Sequence, residues 1–221
     1  MPPRVTISEC GPRDGLQILK QIMPTDAKIA WIDALYRAGL REIEACSFVP
    51  AHLMPQMADA AEVVRHAVTL PGLNVLALVP NLKGAELAIA AGAHTLTIPV
   101  SGSEAHSLAN VRKSRADMVA EVARIVRMRN EQAPHVKIEA NISVAFGCTL
   151  AGSVPEDDVV RLVHALIDAG VDESGLSDTV GYANPEQVRR LFRRVRAEIG
   201  DKTGAAHMHN TRGLGLANCL A

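Results

Sequence analysis

Apolar and polar positions alternate between two periods along the chain. Short β-branched runs at residues 5–9, 42–45, 74–79, 95–98, 136–144, 173–177 and 205–209 predict strands. Segments with helical spacing lie between them, at residues 25–37, 57–67, 82–91, 115–132, 155–169 and 185–198. The first helical segment carries Ile29, Ile32, Leu35 and Tyr36 at that spacing, and it opens on Pro24-Thr25-Asp26, a capping signal. Pro155 and Pro185 fall in first turns, where a missing N–H costs nothing. Gly39, Gly92, Gly170 and Gly200 stand just past helix ends, the preferred C-cap place.

A strand followed by a helix, repeating about every 30 residues, predicts parallel strands covered by helices. Seven strands are expected. On pattern alone, an open doubly wound sheet and a (β/α)8 barrel both fit. The first turn after a strand, Gly11-Pro12-Arg13-Asp14-Gly15-Leu16, is not a GxGxxG sequence, and no Walker A sequence occurs. Both facts favour an α/β protein of the TIM barrel type over a nucleotide-binding sheet. An eighth unit would need roughly another 30 residues. The expectation is one catalytic barrel domain over residues 1–221, truncated after its seventh βα unit and so with two open strand edges.

Composition narrows the function. The 221 residues are 48% hydrophobic, 21% charged and 3% aromatic, with a net charge of -1. The apolar content excludes disorder. The charge balance argues against nucleic acid or a membrane surface as partner. No apolar run approaches a membrane span, and no signal-peptide core precedes the first predicted strand. Cys10, Cys46, Cys148 and Cys219 are widely spaced, which suits thiols in a reducing, cytoplasmic setting better than a disulfide framework.

The sharpest chemical signal is His207-Met208-His209. Residues i and i+2 of a strand point to one side, so the two imidazoles project together and suit a divalent metal. The bland alternative is a pair at a strand end with no ligand, but an inward polar pair needs a partner. Asp14 follows the first predicted strand, and in a barrel it could complete an Asp/His/His set, with Arg13 beside it as a fixed positive charge. Arg13-Asp14-Gly15 also reads as a type I turn with a solvated charge pair. Glu44, Ser47, Asn81, Ser177, Asp178 and Thr179 sit at C-terminal strand ends, where barrel enzymes gather catalytic groups. Glu44, within Ile43-Glu44-Ala45, should be buried and paired. Cys148 reads as a small buried residue rather than a nucleophile.

Several of these stretches together resemble the 3-hydroxy-3-methylglutaryl-CoA lyases, of the metal-dependent lyase and condensing-enzyme TIM-barrel superfamily. They are Glu9-Cys10-Gly11-Pro12-Arg13-Asp14-Gly15-Leu16-Gln17, Ile43-Glu44-Ala45-Cys46-Ser47-Phe48-Val49 and Pro55-Gln56-Met57-Ala58-Asp59. Pro80-Asn81-Leu82-Lys83-Gly84, Asp178-Thr179-Val180-Gly181 and His207-Met208-His209-Asn210-Thr211 complete the set. The resemblance implies cleavage of 3-hydroxy-3-methylglutaryl-CoA to acetoacetate and acetyl-CoA, as in leucine degradation and ketone-body formation, by a homodimer acting on an acyl-CoA thioester. It implies Asp14, His207 and His209 as ligands of Mg2+ or Mn2+. Arg13 would stabilise the enolate, Asp178 would transfer protons with Glu44, and Arg13, Gln17, Ser47 and Thr179 would bind substrate. A retro-aldol cleavage needs the tertiary hydroxyl deprotonated and the enolate oxygen stabilised, which a hard cation and a fixed guanidinium supply.

The sequence also departs from that family. Ile18-Leu19 replaces Asn-Glu, Thr149-Leu150 replaces Pro-Tyr, and Glu139 and Asn141 stand where Arg and Tyr are usual. The family's fourth ligand, an Asn, and its catalytic Cys would fall beyond Ala221, and Cys219 comes too early to be that Cys. These changes bear on the acyl group more than on the reaction. Other readings are a lyase for a related 3-hydroxy-acyl-CoA, a condensing synthase of the isopropylmalate or homocitrate type, and an inactive truncated barrel.

Overall fold

The computed structural model describes residues 5–221. They form two compact units, one of residues 5–97 with Gln132–Lys137, the other of Ile98–Glu131 with Ile138–Ala221. The first holds a π-helical turn at Gly11–Gly15, α1 (Thr25–Arg37), β1 (Glu42–Ser47), a 3-10 turn at Pro55–Met57, α2 (Ala60–Ala67), β2 (Asn74–Leu78) and α3 (Leu82–Ala91). Strand β3 (Thr95–Ser101) runs from the first unit into the second. There follow α4 (Glu104–Val111), α5 (Arg115–Gln132), β4 (Lys137–Ser143), α6 (Glu156–Asp168), β5 (Glu173–Asp178), α7 (Pro185–Ile199), β6 (Thr203–Met208) and α8 (Gly215–Cys219).

Strand order follows chain order, β1-β2-β3 in the first unit and β3-β4-β5-β6 in the second. The pairs β1/β2, β2/β3, β4/β5 and β5/β6 are parallel. A doubly wound sheet reverses its order at a switch point. Neither unit has a reversal, so the (β/α) barrel type stands.

Each unit buries one face of its strands under helices. In the first, Ile43, Val75 and Ala77 are fully buried, as are Ile32 of α1 and Val64 of α2. In the second, Ile138, Ala140, Ile142 and Leu176 are fully buried with Ile125, Val163 and Leu166. The opposite face mixes polar side chains with apolar ones such as Leu76, which pairs with Glu44. It carries Glu44 and Thr97 in one unit, and Glu139, Asn141 and Ser177 in the other. Strands of this kind are usually apolar on both faces, so these polar side chains are a departure from the common pattern. No helix of the described residues is long and apolar enough to cross a membrane. All four cysteines are free thiols.

Several expectations need correction. Residues 5–9 are not a strand, so six strands are described, not seven. Only Glu9 pairs, bridging to Ile43, while Val5 and Ile7 stay exposed. A β-branched run forms a strand only where a neighbour's backbone lies beside it. Helix α4 was not expected, because its short polar sequence has no apolar period and its one signal is the Ser103 cap, whose hydroxyl accepts from the His106 amide. The 57–67 segment divides because Asp59, at the N-cap place, gives its carboxylate to Lys28 and Thr25 instead of to the helix. For the same reason Thr25 does not cap α1; Pro24 occupies that place. Pro155 is the N-cap of α6, one residue before the first turn, whereas Pro185 is at the first position of α7 behind an Asn184–Gln187 capping box. The four glycines past helix ends all adopt positive φ, as expected.

One buried ion pair ties the first unit's helices to the loop after β1. Lys28 is 3% exposed, and its Nζ donates to Asp59 Oδ1 at 2.6 Å and to the Gln56 carbonyl at 2.5 Å. Asp59→Ala would strand the ammonium and should cost about 3–5 kcal/mol. Urea unfolding measures this, and a cost below about 1 kcal/mol would mean that Lys28 does not depend on the pair.

Candidate active site

The π-helical turn folds the chain back over β1. The amides of Arg13 and Asp14 both donate to the Cys10 carbonyl, at 3.1 and 2.7 Å. Such turns are rare and gather at functional sites. The tight turn aims the Arg13 side chain at β1, where it is 8% exposed. Its Nε and Nη2 donate to Glu44 Oε2 at 2.7 and 2.6 Å, and its Nη1 to Asp14 Oδ1 at 2.6 Å. Gln17 Nε2 donates to the same Asp14 oxygen at 2.7 Å, and the Thr97 hydroxyl donates to Glu44 Oε1 at 2.5 Å. The solvated-turn reading of Arg13-Asp14-Gly15 is therefore wrong. Burial works against the Arg13 charge, but Glu44 and then Asp14 more than offset it and hold the guanidinium above its ordinary pKa.

This unit brings together Arg13, Asp14, Gln17 and Glu44. Glu44 is buried and paired, as its place in an apolar run required. Its second partner, Thr97, was missed; the signal was Thr95 and Thr97 alternating with apolar residues on β3. Ser47 is fully buried at the end of β1, and its hydroxyl has no hydrogen-bond partner. Asn81 is structural, since its side chain caps α3 by accepting the Gly84 amide at 2.9 Å.

In the second unit, Asp178 is fully buried at the end of β5. Its Oδ1 accepts the Tyr182 amide at 2.9 Å and its Oδ2 the Ala183 amide at 3.0 Å, which fixes the turn leading to α7. The Thr179 hydroxyl accepts the Val144 amide at 2.9 Å. Ser177 pairs in register with His207. His207 and His209 are half-buried with ring centroids 5.0 Å apart, and the His209 amide donates to the Asp178 carbonyl at 3.3 Å. Two imidazoles so spaced fit neighbouring positions around one divalent cation.

Cys148 is buried, as expected, but in polar surroundings that the sequence did not reveal. Burial pushes its thiol up, while the Ser103 hydroxyl and the amides of Ala151 and Leu150 outweigh that and leave it below the usual thiol pKa. Cys46 is the opposite case. Burial, reinforced by the Glu44 charge, pushes its thiol far up.

The HMGL-like family model matches residues 4–221. The hydroxymethylglutaryl-CoA lyase YngG of Bacillus subtilis is 38% identical over 99% of this chain and 73% of its own length. The cytoplasmic 3-hydroxy-3-methylglutaryl-CoA lyase of Homo sapiens is 38% identical over all of this chain, which covers 59% of that protein. Among solved structures, an HMG-CoA lyase from Acinetobacter baumannii, in complex with coenzyme A and 3-methylmalate, superposes with a TM-score of 0.92 at 37% identity. The match covers 97% of this chain and 70% of that one. The carboxyl transferase domain of Rhizobium etli pyruvate carboxylase, at 19% identity and a TM-score of 0.70, shares the fold alone.

The contrast between the cysteines is testable. With iodoacetamide at pH 8, exposed Cys219 should react first and Cys46 should stay protected until the chain unfolds. Peptide mass spectrometry over time reads this; equal rates would contradict the burial of Cys46.

Proposed function

This chain belongs to the HMGL-like family, and on that footing we propose that it cleaves 3-hydroxy-3-methylglutaryl-CoA to acetoacetate and acetyl-CoA. The observation that carries the reading is the buried Arg13, clamped by Glu44 and Asp14, in a chain similar to named HMG-CoA lyases over its whole length. Asp14, His207 and His209 would hold a divalent cation, Mg2+ or Mn2+, which when bound supplies Lewis acidity toward the substrate's oxygens.

Arg13 stabilises the enolate of acetyl-CoA as carbon–carbon cleavage proceeds. Glu44 and Asp14 fix its guanidinium beforehand, so little reorganisation is needed when charge develops. Glu44 in turn is held by Thr97. Gln17 orients Asp14. The tertiary hydroxyl must lose a proton and the enolate carbon must gain one, and Asp178 and Glu44 serve that transfer. Each Asp178 oxygen accepts one backbone amide and keeps a second lone pair for a proton. Ser47, whose buried hydroxyl is unpartnered, binds a polar atom of the substrate, and Thr179 is a further substrate-binding residue. The working form is a cytoplasmic homodimer. Glu139 and Asn141 favour a second reading, a related 3-hydroxy-acyl-CoA, with the same chemistry.

Incubation with a panel of 3-hydroxy-acyl-CoA thioesters, in Mg2+ or Mn2+, tests both readings. Equal amounts of acetyl-CoA and acetoacetate from the 3-hydroxy-3-methylglutaryl thioester support the first. Cleavage of another member alone supports the second, and no cleavage sinks both.

Arg13→Lys keeps a charge but loses the planar fork. It should lower kcat on the order of 10²- to 10³-fold and leave KM and metal content nearly unchanged. His207→Ala should instead sharply lower metal affinity. A lysine variant with normal kcat and a raised KM would confine Arg13 to anchoring the thioester.

A further inference from the structure

Strand β6 carries one residue more than its partner. Ser174 pairs with Thr203 and Leu176 with Ala206, so two steps along β5 meet three along β6. That is a β-bulge. Past it, Ser177 stands opposite His207. Paired residues on neighbouring strands share a face, and a slip of one residue sends each side chain to the other face. Without the extra residue, His207 would stand opposite Asp178 and share the face of Leu176, which is fully buried. With it, the imidazole joins the polar face of Ser177.

A side chain from β4 meets the bulge. The Ala205 amide donates to Glu139 Oε1 at 3.1 Å, and Glu139 is 8% exposed. Its reach to β6 is kept open by two glycines. A Cβ at Gly175 would lie 2.1 Å from Asn141 Oδ1 and 2.4 Å from the Ala205 carbonyl, and one at Gly204 would lie 3.2 Å from Glu139 Oε1. Gly175 does not have a positive φ, so it is required for space alone. An extra strand residue normally leaves its amide outside the ladder. An amide outside the ladder needs another acceptor, and here a carboxylate takes it up.

We propose that Glu139 is a positioning residue: its carboxylate holds the bulge at Ala205 and so sets the face on which His207 and His209 present their imidazoles. As a statement about metal binding, this rests on the reading of those histidines as ligands. Neither the bulge nor the bond to Glu139 depends on that reading.

Two variants of the isotope-labelled protein separate the effects. Glu139→Gln keeps a carbonyl acceptor of the same reach, and Glu139→Leu removes it. In the leucine variant the Ala205 amide should exchange with solvent at least about tenfold faster, and the ring resonances of His207 should move. The glutamine variant should restore both. A Mn2+ titration followed by electron paramagnetic resonance should then show affinity lowered by about 10- to 100-fold for leucine and near normal for glutamine. Unchanged exchange at Ala205 in Glu139→Leu overturns the proposal, as does faster exchange with unmoved His207 resonances. If the unsubstituted protein binds no Mn2+, the ligand reading falls, while exchange and ring resonances still decide the positioning role. Should the leucine variant fail to fold, Glu139→Asp, which keeps the charge but falls short of the amide, must show the same faster exchange, and normal exchange there overturns the proposal.

Discussion

A guanidinium buried at the end of a one-turn loop is the constraint from which the first unit's site follows. Arg13 can be out of water only because Glu44 and Asp14 meet it. Removing a charge from water costs several kcal/mol, so such a pair persists only with good geometry and with its remaining hydrogen bonds filled. The filling is visible in Thr97 on one Glu44 oxygen and Gln17 on Asp14. The π-helical turn is thus pinned to β1 and β3 by side chains, and residues 5–8 need not be strand for the turn to keep its place.

The second unit solves a different problem with the same kind of group. There the carboxylates meet backbone amides rather than cations. Asp178 closes the turn after β5, and Glu139 takes the amide that the β6 bulge releases. Each spends a charged acceptor on a position where the ladder or helix leaves an N–H unmet. Bonds of this charge-assisted type are about twice as strong as neutral ones, which suits places where the backbone must leave regular geometry without becoming loose.

What the sequence disclosed, and what it hid, divides along the range of the forces involved. Helices α1, α3 and α5 lie where their period put them, because a helix satisfies its backbone locally. The burial of Glu44 was legible from the apolar residues on either side. Residues 5–9 misled because strand formation depends on a neighbour that composition does not reveal. Thr25 misled because a capping side chain has alternative partners, and its hydroxyl goes to Asp59, which buried Lys28 also holds. Thr97 and Glu139 act on residues 53 and 66 positions away, and no local pattern announces such pairs. Glu139 was noticed only as a departure from the family pattern. Its use became visible with the register of β6.

The distribution of met and unmet groups separates scaffold from binding surface. In the first unit the polar cluster centres on Arg13, which Glu44 and Asp14 meet. Within the same unit, Ser47 keeps a buried hydroxyl with no partner. A buried polar atom left so costs about 1–3 kcal/mol. A ligand atom that meets it removes this cost on binding, whereas a hydroxyl already satisfied by the protein would first have to give up a bond. Arg13 follows the opposite logic. Its ion pairs are complete before any ligand arrives, so its charge is fixed in direction and is suited to a charge that appears only as the reaction proceeds. Strength without rearrangement belongs at the reacting centre, and unmet capacity belongs where substrate is held.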